Sequence, residues 1–168
     1  VFRARDMKYG RTVALKVTPP ADDVDPAIRK RFLEDTRAAS ALSHPNILAI
    51  YEFDRDGQSV YAAMELVVGG TLRDRLKSGP LSPRKAVEAG VQIAHGLAAA
   101  HEHHIAHRDL KPENIAFARD GQVKILDFGL ARATNADVQA TTMQTGSGQL
   151  LGTLAYMSPE QAAGDAHE

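Results

Sequence analysis

His107-Arg108-Asp109-Leu110-Lys111-Pro112-Glu113-Asn114, followed thirteen residues beyond Asn114 by Asp127-Phe128-Gly129, is the stretch on which the reading of this chain turns. It sets two carboxylates and a carboxamide where a hydroxyl and a metal-bound polyphosphate can be handled together. Asp109 is suited to orient a hydroxyl and accept its proton, while Asn114 and Asp127 offer the oxygen ligands that magnesium, a hard cation, prefers. Taken alone, Asp109 and Asn114 would also fit an Asx-rich turn closed by its own hydrogen bonds. The Asp-Phe-Gly triplet downstream weighs against that plainer reading.

Working outward, three Gly-containing turns separate short apolar runs. Lys8-Tyr9-Gly10 divides Val1 to Arg5 from Thr12 to Val17, Asp56-Gly57 divides Ile47 to Phe53 from Val60 to Leu66, and Asp120-Gly121 divides Ile115 to Phe117 from Val123 to Leu126. Each predicts a β-hairpin, because glycine accepts the positive φ that a tight turn needs. Asp25-Pro26 and Ser82-Pro83 pair an N-cap with proline at the first helical position. They predict helices to about Leu42 and about His103, with a shorter helix from Thr71. His44-Pro45 forces an extended exit from the first. The Thr-, Ser- and Gln-rich segment from Leu130 to Leu151 has no sustained period, and loops of that length are usually functional or disordered.

Composition narrows the classes further. With 43% apolar and 24% charged residues, the 168-residue chain has a globular balance, and a net charge of −1 leaves no basic footprint for nucleic acid. No apolar run approaches the ~18 residues of a membrane span. Zero cysteines exclude disulfides and thiolate metal sites. His101, His103, His104 and His107 are spaced suggestively for zinc, yet a solvated helix end explains them better, since no cysteine or well-placed carboxylate completes a set.

Lys16 lies in an alternating run, Val13, Leu15 and Val17 on one face and Ala14 and Lys16 on the other. A solvent-facing lysine is the ordinary fate of such a residue. The pattern V-A-L-K at 13–16, H-R-D-x-x-x-x-N at 107–114, D-F-G at 127–129, and Ser158-Pro159-Glu160 in the place of A-P-E, in that order, resembles the eukaryotic-type protein kinases. Lys111 followed by Pro-Glu-Asn resembles the serine/threonine branch, and Met157-Ser158-Pro159-Glu160-Gln161-Ala162 its bacterial members. The resemblance spans essentially the whole chain. It implies an α+β, two-lobed fold that is incomplete: a small antiparallel-sheet lobe at 1–67 without the first strand and glycine-rich loop, and a partial, mainly helical large lobe at 68–168.

What the resemblance implies about function is transfer of the γ-phosphoryl group of ATP, with Mg2+, to serine or threonine hydroxyls of a protein substrate. Asp109 would be the base, Lys111 would neutralise the transferred group, and Asn114 and Asp127 would hold metal. Lys16 would meet the α- and β-phosphates and pair with an acid on the following helix. Counting back from His44-Pro45, that acid falls on Asp35 where the family has glutamate. Helical period agrees, because Ile28, Phe32, Ala39 and Leu42 define a stripe that Asp35 joins, while Glu34 points about 100° away. Aspartate is shorter by roughly 1.5 Å, so a weakened pair is expected.

For the adenine pocket the resemblance implies Met64 as gatekeeper, Glu65-Leu66-Val67 as hinge, Val1 and Ala14 as roof, and Ala116 in the floor. His107 and Phe128 would belong to a stacked apolar spine. Arg108 would hold a phosphorylated loop residue, with Thr141, Thr142, Thr145 and Ser147 as acceptors, and Thr153 would lie in the substrate-binding loop. The Glu113 side chain is expected to be structural, or to pair with a basic residue of the substrate. Two other readings remain open: a pseudokinase holding nucleotide or partners, and a small-molecule phosphotransferase. A cytoplasmic domain is expected, with any membrane anchor outside this segment. Without the missing ends, the segment alone is expected to be marginally stable and close to inactive.

Overall fold

The structure is a computed structural model that describes residues 1–17, 36, 37, 39–56, 59–128 and 155–162. Strands β1 (Phe2–Asp6), β2 (Arg11–Val17), β3 (Ile50–Asp56) and β4 (Ser59–Glu65) form one antiparallel sheet in the order β1-β2-β4-β3. Helix α1 (Leu72–Leu76) and helix α2 (Pro83–Glu102) follow, then a 3-10 turn at Pro112–Asn114. Strands β5 (Ile115–Phe117) and β6 (Val123–Ile125) pair as a separate two-stranded sheet, and a short helix α3 (Pro159–Ala162) comes last. The chain belongs to the α+β class that the sequence predicts.

All three pairs of strands form as expected, and local chemistry explains the first and last turns. Asp6 accepts the backbone N–H groups of Lys8 and Tyr9 at 3.0 and 3.1 Å, and Gly10 takes a φ of 66°. The β5–β6 turn repeats the device, with Asp120 accepting from Gln122 N–H at 2.9 Å and Gly121 at a φ of 87°. The Ser82-Pro83 capping signal holds as well, while Asp25-Pro26 lies outside the described residues. Ser82 caps α2 with Pro83 at its start, and Thr71 forms a reciprocal capping box with Asp74. Of the first expected helix, Thr36, Arg37, Ala39 and Ser40 are helical and described; its beginning lies outside the described residues.

One strand differs from expectation. Ile47 does not open β3, which starts at Ile50; it forms a parallel bridge to Ile125 of β6. Ile125 N–H donates to the Asn46 carbonyl at 2.8 Å, and Leu48 N–H to the Ile125 carbonyl at 2.9 Å. Asn46 fixes this docking, giving its side-chain amide to the Val123 carbonyl and to Gln92 of α2. Ile47, Ile115, Phe117, Val123, Ile125 and Phe128 form the main core with Ala89 and Ala100 of α2. Gly96 lets α2 approach, because an added Cβ would meet the Ile125 side chain at 2.7 Å. Val87 and Val91 on another face of α2 stay exposed. No helix among the described residues is long and apolar enough to cross a membrane.

Candidate active site

The loop before β5 is organised by His107. Its Nε2 donates to the Leu126 carbonyl at 2.8 Å, and its Nδ1 accepts the Asp109 N–H at 3.2 Å. Those two partners require the Nε2–H tautomer. Burial pushes the imidazole below its ordinary pKa, so the ring is neutral at physiological pH. Phe128 packs its ring edge-on to His107 with centroids 4.8 Å apart, and both are buried. This contact joins the loop to the residue that follows Asp127.

Two side chains hold Asp109. Lys111 Nζ lies 2.8 Å from its Oδ2, and Asn114 Nδ2 donates to the same oxygen at 2.9 Å and to the Asp109 carbonyl at 2.8 Å. The Asn114 amide nitrogen is thereby occupied, which leaves its oxygen as the free end of the group. Leu126 N–H donates to the Asn114 carbonyl at 2.8 Å, tying the asparagine to the strand that delivers Asp127. Arg108 and Asp127 have φ values of 63° and 55°, left-handed conformations uncommon outside glycine. Such strain persists where surrounding contacts over-determine the backbone, and here the His107, Asn114 and Leu126 bonds do so.

From the sheet side, Lys16 Nζ meets Asp127 Oδ1 at 3.0 Å. The carboxylate that Lys16 contacts among the described residues is thus Asp127; Asp35, its expected partner, lies outside them. Thr36, the next residue, is buried, and its hydroxyl has no hydrogen-bond partner among the described residues. It lines a small cavity with Ala39, Met64, Asp127 and Phe128. The spacing Thr36, Ala39, Leu42 was a visible inward stripe, but Ala39 and Leu42 serve the Asp35 stripe equally.

Ala14 and Met64 are cross-strand partners, as are Lys16 and Ala62, so all four share one face of β2 and β4. Ala14, Ala62, Met64, Val67, Leu48 and Leu126 pack together as a second apolar cluster. Leu126 meets this cluster from the end of β6, whereas Ala116 is buried and bridges to Thr71. Val1 is 80% exposed and stands away from it. Glu65 turns its side chain to Lys124 Nζ at 3.0 Å, and its N–H is committed to the Ala49 carbonyl. Neither the Glu65–Lys124 pair nor the Arg73–Glu113 pair, at 2.7 Å, has a local sequence signal, since the partners lie 59 and 40 residues apart.

Thr141, Thr142, Thr145, Ser147 and Thr153 lie outside the described residues. Beyond them, the Gln161 amide donates to the Arg108 carbonyl at 2.6 Å, which ties residues 155–162 to the catalytic loop. His101, His103 and His104 are exposed, and no group of three or more potential metal-ligating residues gathers among the described residues. Magnesium does not require one, because it is commonly held by one or two side-chain oxygens together with substrate phosphates. Asn114 and Asp127 fit that arrangement.

The protein kinase domain model matches residues 1–168. This chain belongs to the protein kinase family. Over 98% of its length it is 44% identical to the probable serine/threonine-protein kinase CE0033 of Corynebacterium efficiens, covering 25% of that protein. It is 42% identical to serine/threonine-protein kinase PknL of Mycobacterium tuberculosis, over 96% of this chain and 39% of the relative. Against PknB of Mycolicibacterium smegmatis the identity is 41%, over 98% of this chain and 27% of the relative. The kinase segment described here therefore spans well under half the length of these bacterial relatives.

Proposed function

We propose that the protein carrying this domain transfers the γ-phosphoryl group of magnesium-ATP to serine or threonine hydroxyls of other proteins. The observation that carries the reading is the Asp109 clamp. One carboxylate oxygen is fixed by Lys111 and Asn114, so the group is held in place before an acceptor arrives. Asp109 orients the acceptor hydroxyl and takes its proton; Lys111 offsets the negative charge of the group in transfer. Asn114 and Asp127 hold magnesium, which when bound neutralises charge on the phosphates. Lys16 anchors the phosphates, and its present contact with Asp127 keeps both at the cleft. Ala14, Met64 and Val67 line the adenine site, with Leu126 taking more of the floor than Ala116.

Arg108 is the switch in this reading, receiving a phosphate placed on Thr141, Thr142, Thr145 or Ser147. Asp35 is the acid for Lys16, and Asp35→Glu raises turnover if that pair is limiting. The domain works in the cytoplasm on ATP and a protein acceptor. A pseudokinase is the weaker reading, because Lys16, Asp109, Asn114 and Asp127 are all present and converge. The deciding experiment is magnesium-ATP phosphotransfer by the full parent protein, with Asp109→Asn as control and products mapped by mass spectrometry. Phosphate on residues 141–153 or on an added protein, absent in the control, is the expected result. Nucleotide binding without transfer would overturn it.

A further inference from the structure

Once these residues are assigned, one polar cluster at the edge of the catalytic loop is left over. Arg73 of α1 donates through Nε to Glu113 at 2.7 Å and through its terminal nitrogen to the Tyr156 hydroxyl at 3.3 Å. The cluster joins three segments: α1, the catalytic loop and the turn before α3. Glu113 is the one carboxylate of residues 107–114 besides Asp109, and it lies four residues from it. Burial alone would push the Glu113 carboxyl up, yet it lies below the usual range because Arg73 donates to it. Tyr156 lies three residues beyond Thr153, which the resemblance puts in the substrate-binding loop. In the phosphotransfer reading a protein chain presenting its hydroxyl to Asp109 would run beside Glu113 and Tyr156, both of which Arg73 already bonds.

We infer that Arg73 is a specificity-determining residue that, by occupying Glu113, turns the groove away from acceptors with arginine or lysine beside the target hydroxyl. This rests on the phosphotransfer reading above. A basic acceptor side chain gains Glu113 only by displacing Arg73, which exchanges one guanidinium contact for another. It also leaves two cations, the displaced Arg73 and the incoming side chain, close together, and like charges so placed repel. Acceptors with neutral or acidic residues at those positions pay no such cost. Both members of the pair are substantially exposed, at 38% and 45% for their side chains, so the discrimination is modest.

The test is a positional-scanning peptide library phosphorylated by the full-length parent kinase, its Arg73→Ala variant, and the Arg73→Ala/Glu113→Gln double variant. Wild type should disfavour basic residues near the acceptor. Arg73→Ala should raise kcat/KM for basic relative to neutral peptides by roughly two- to five-fold, the range of an exposed ion pair. The double variant should lose that gain, and Arg73→Lys should keep most of the wild-type discrimination. A merely structural role for Arg73 would lower activity on all peptides alike and leave the ratio unchanged, which overturns the inference. So does a wild-type preference for basic acceptors. Absence of phosphotransfer to any peptide, with nucleotide still bound, overturns the kinase reading and this inference with it.

Discussion

Asp109 and Lys16 reach one cleft from supports of different construction. The Asp109 loop rests on β5 and β6, whose residues are all buried, and is cross-tied by His107, Asn114 and Asn46. Lys16 comes from a sheet whose outer strand, β1, is mostly exposed, including Phe2 at 65%. That sheet is held on its outside by surface contacts, among them Arg11 stacked 3.6 Å from the Tyr51 ring centroid. The two supports meet through the part-exposed Lys16–Asp127 pair, the Glu65–Lys124 pair and the packing of Leu126 on the Leu48, Ala62 and Met64 cluster. The Asp109 loop is thus positioned by buried and part-buried hydrogen bonds, whereas the lysine side leans more on surface contacts.

The comparison can be broken at several points. Asp109→Asn in the parent kinase should cut phosphotransfer by about 10²–10⁴-fold, the usual contribution of general base catalysis, with the melting temperature nearly unchanged. A drop under tenfold would remove Asp109 from its role. Asn46→Ala should destabilise the parent domain by about 1–3 kcal/mol in urea, because the buried Val123 carbonyl loses its side-chain donor.

His107 gives a subtler handle. Its folded pKa is depressed by burial, so the unfolded chain binds a proton more readily than the folded one. Stability should therefore be full above the unfolded histidine value of about 6.5 and be lost as pH falls towards the folded value. His107→Phe should flatten that slope between about pH 7 and pH 5, and an unaltered slope would assign the acid sensitivity elsewhere. Arg11→Ala should have the smallest effect, about 0.5–1 kcal/mol, as an exposed cation–π contact. If Arg11→Ala costs as much as Asn46→Ala, the outer sheet is no softer than the hairpin.

Sequence made legible whatever was encoded by neighbours along the chain. Gly10 and Gly121 marked their turns, Ser82-Pro83 marked the start of α2, and the 107–114 and 127–129 motifs found the residues that converge. Illegible was whatever depends on partners far apart. Ile47-Leu48-Ala49-Ile50 reads as one continuous strand, and nothing local says that Asn46 will pin Ile47 to β6. Glu113 was noticed, yet its partner Arg73 looked like any charged residue on a short helix. Leu126 was read as the last residue of a strand, when it also packs against the Leu48, Ala62 and Met64 cluster.

The bridge between Ile47 and Ile125 bears on how this protein can be taken apart. A boundary at 67/68 follows the expected lobes, but it assigns Asn46, Ile47 and Leu48 to a half that does not contain the strand they bind. Separately expressed halves would each carry an orphaned edge: three residues without their strand on one piece, and β6 without its second neighbour on the other. Co-expressed, the same edges become a matched joint. That makes 67/68 a split site for a two-piece reporter, with the Asn46–Ile47–Leu48 segment forming part of the joint beside the Lys16–Asp127 and Glu65–Lys124 pairs.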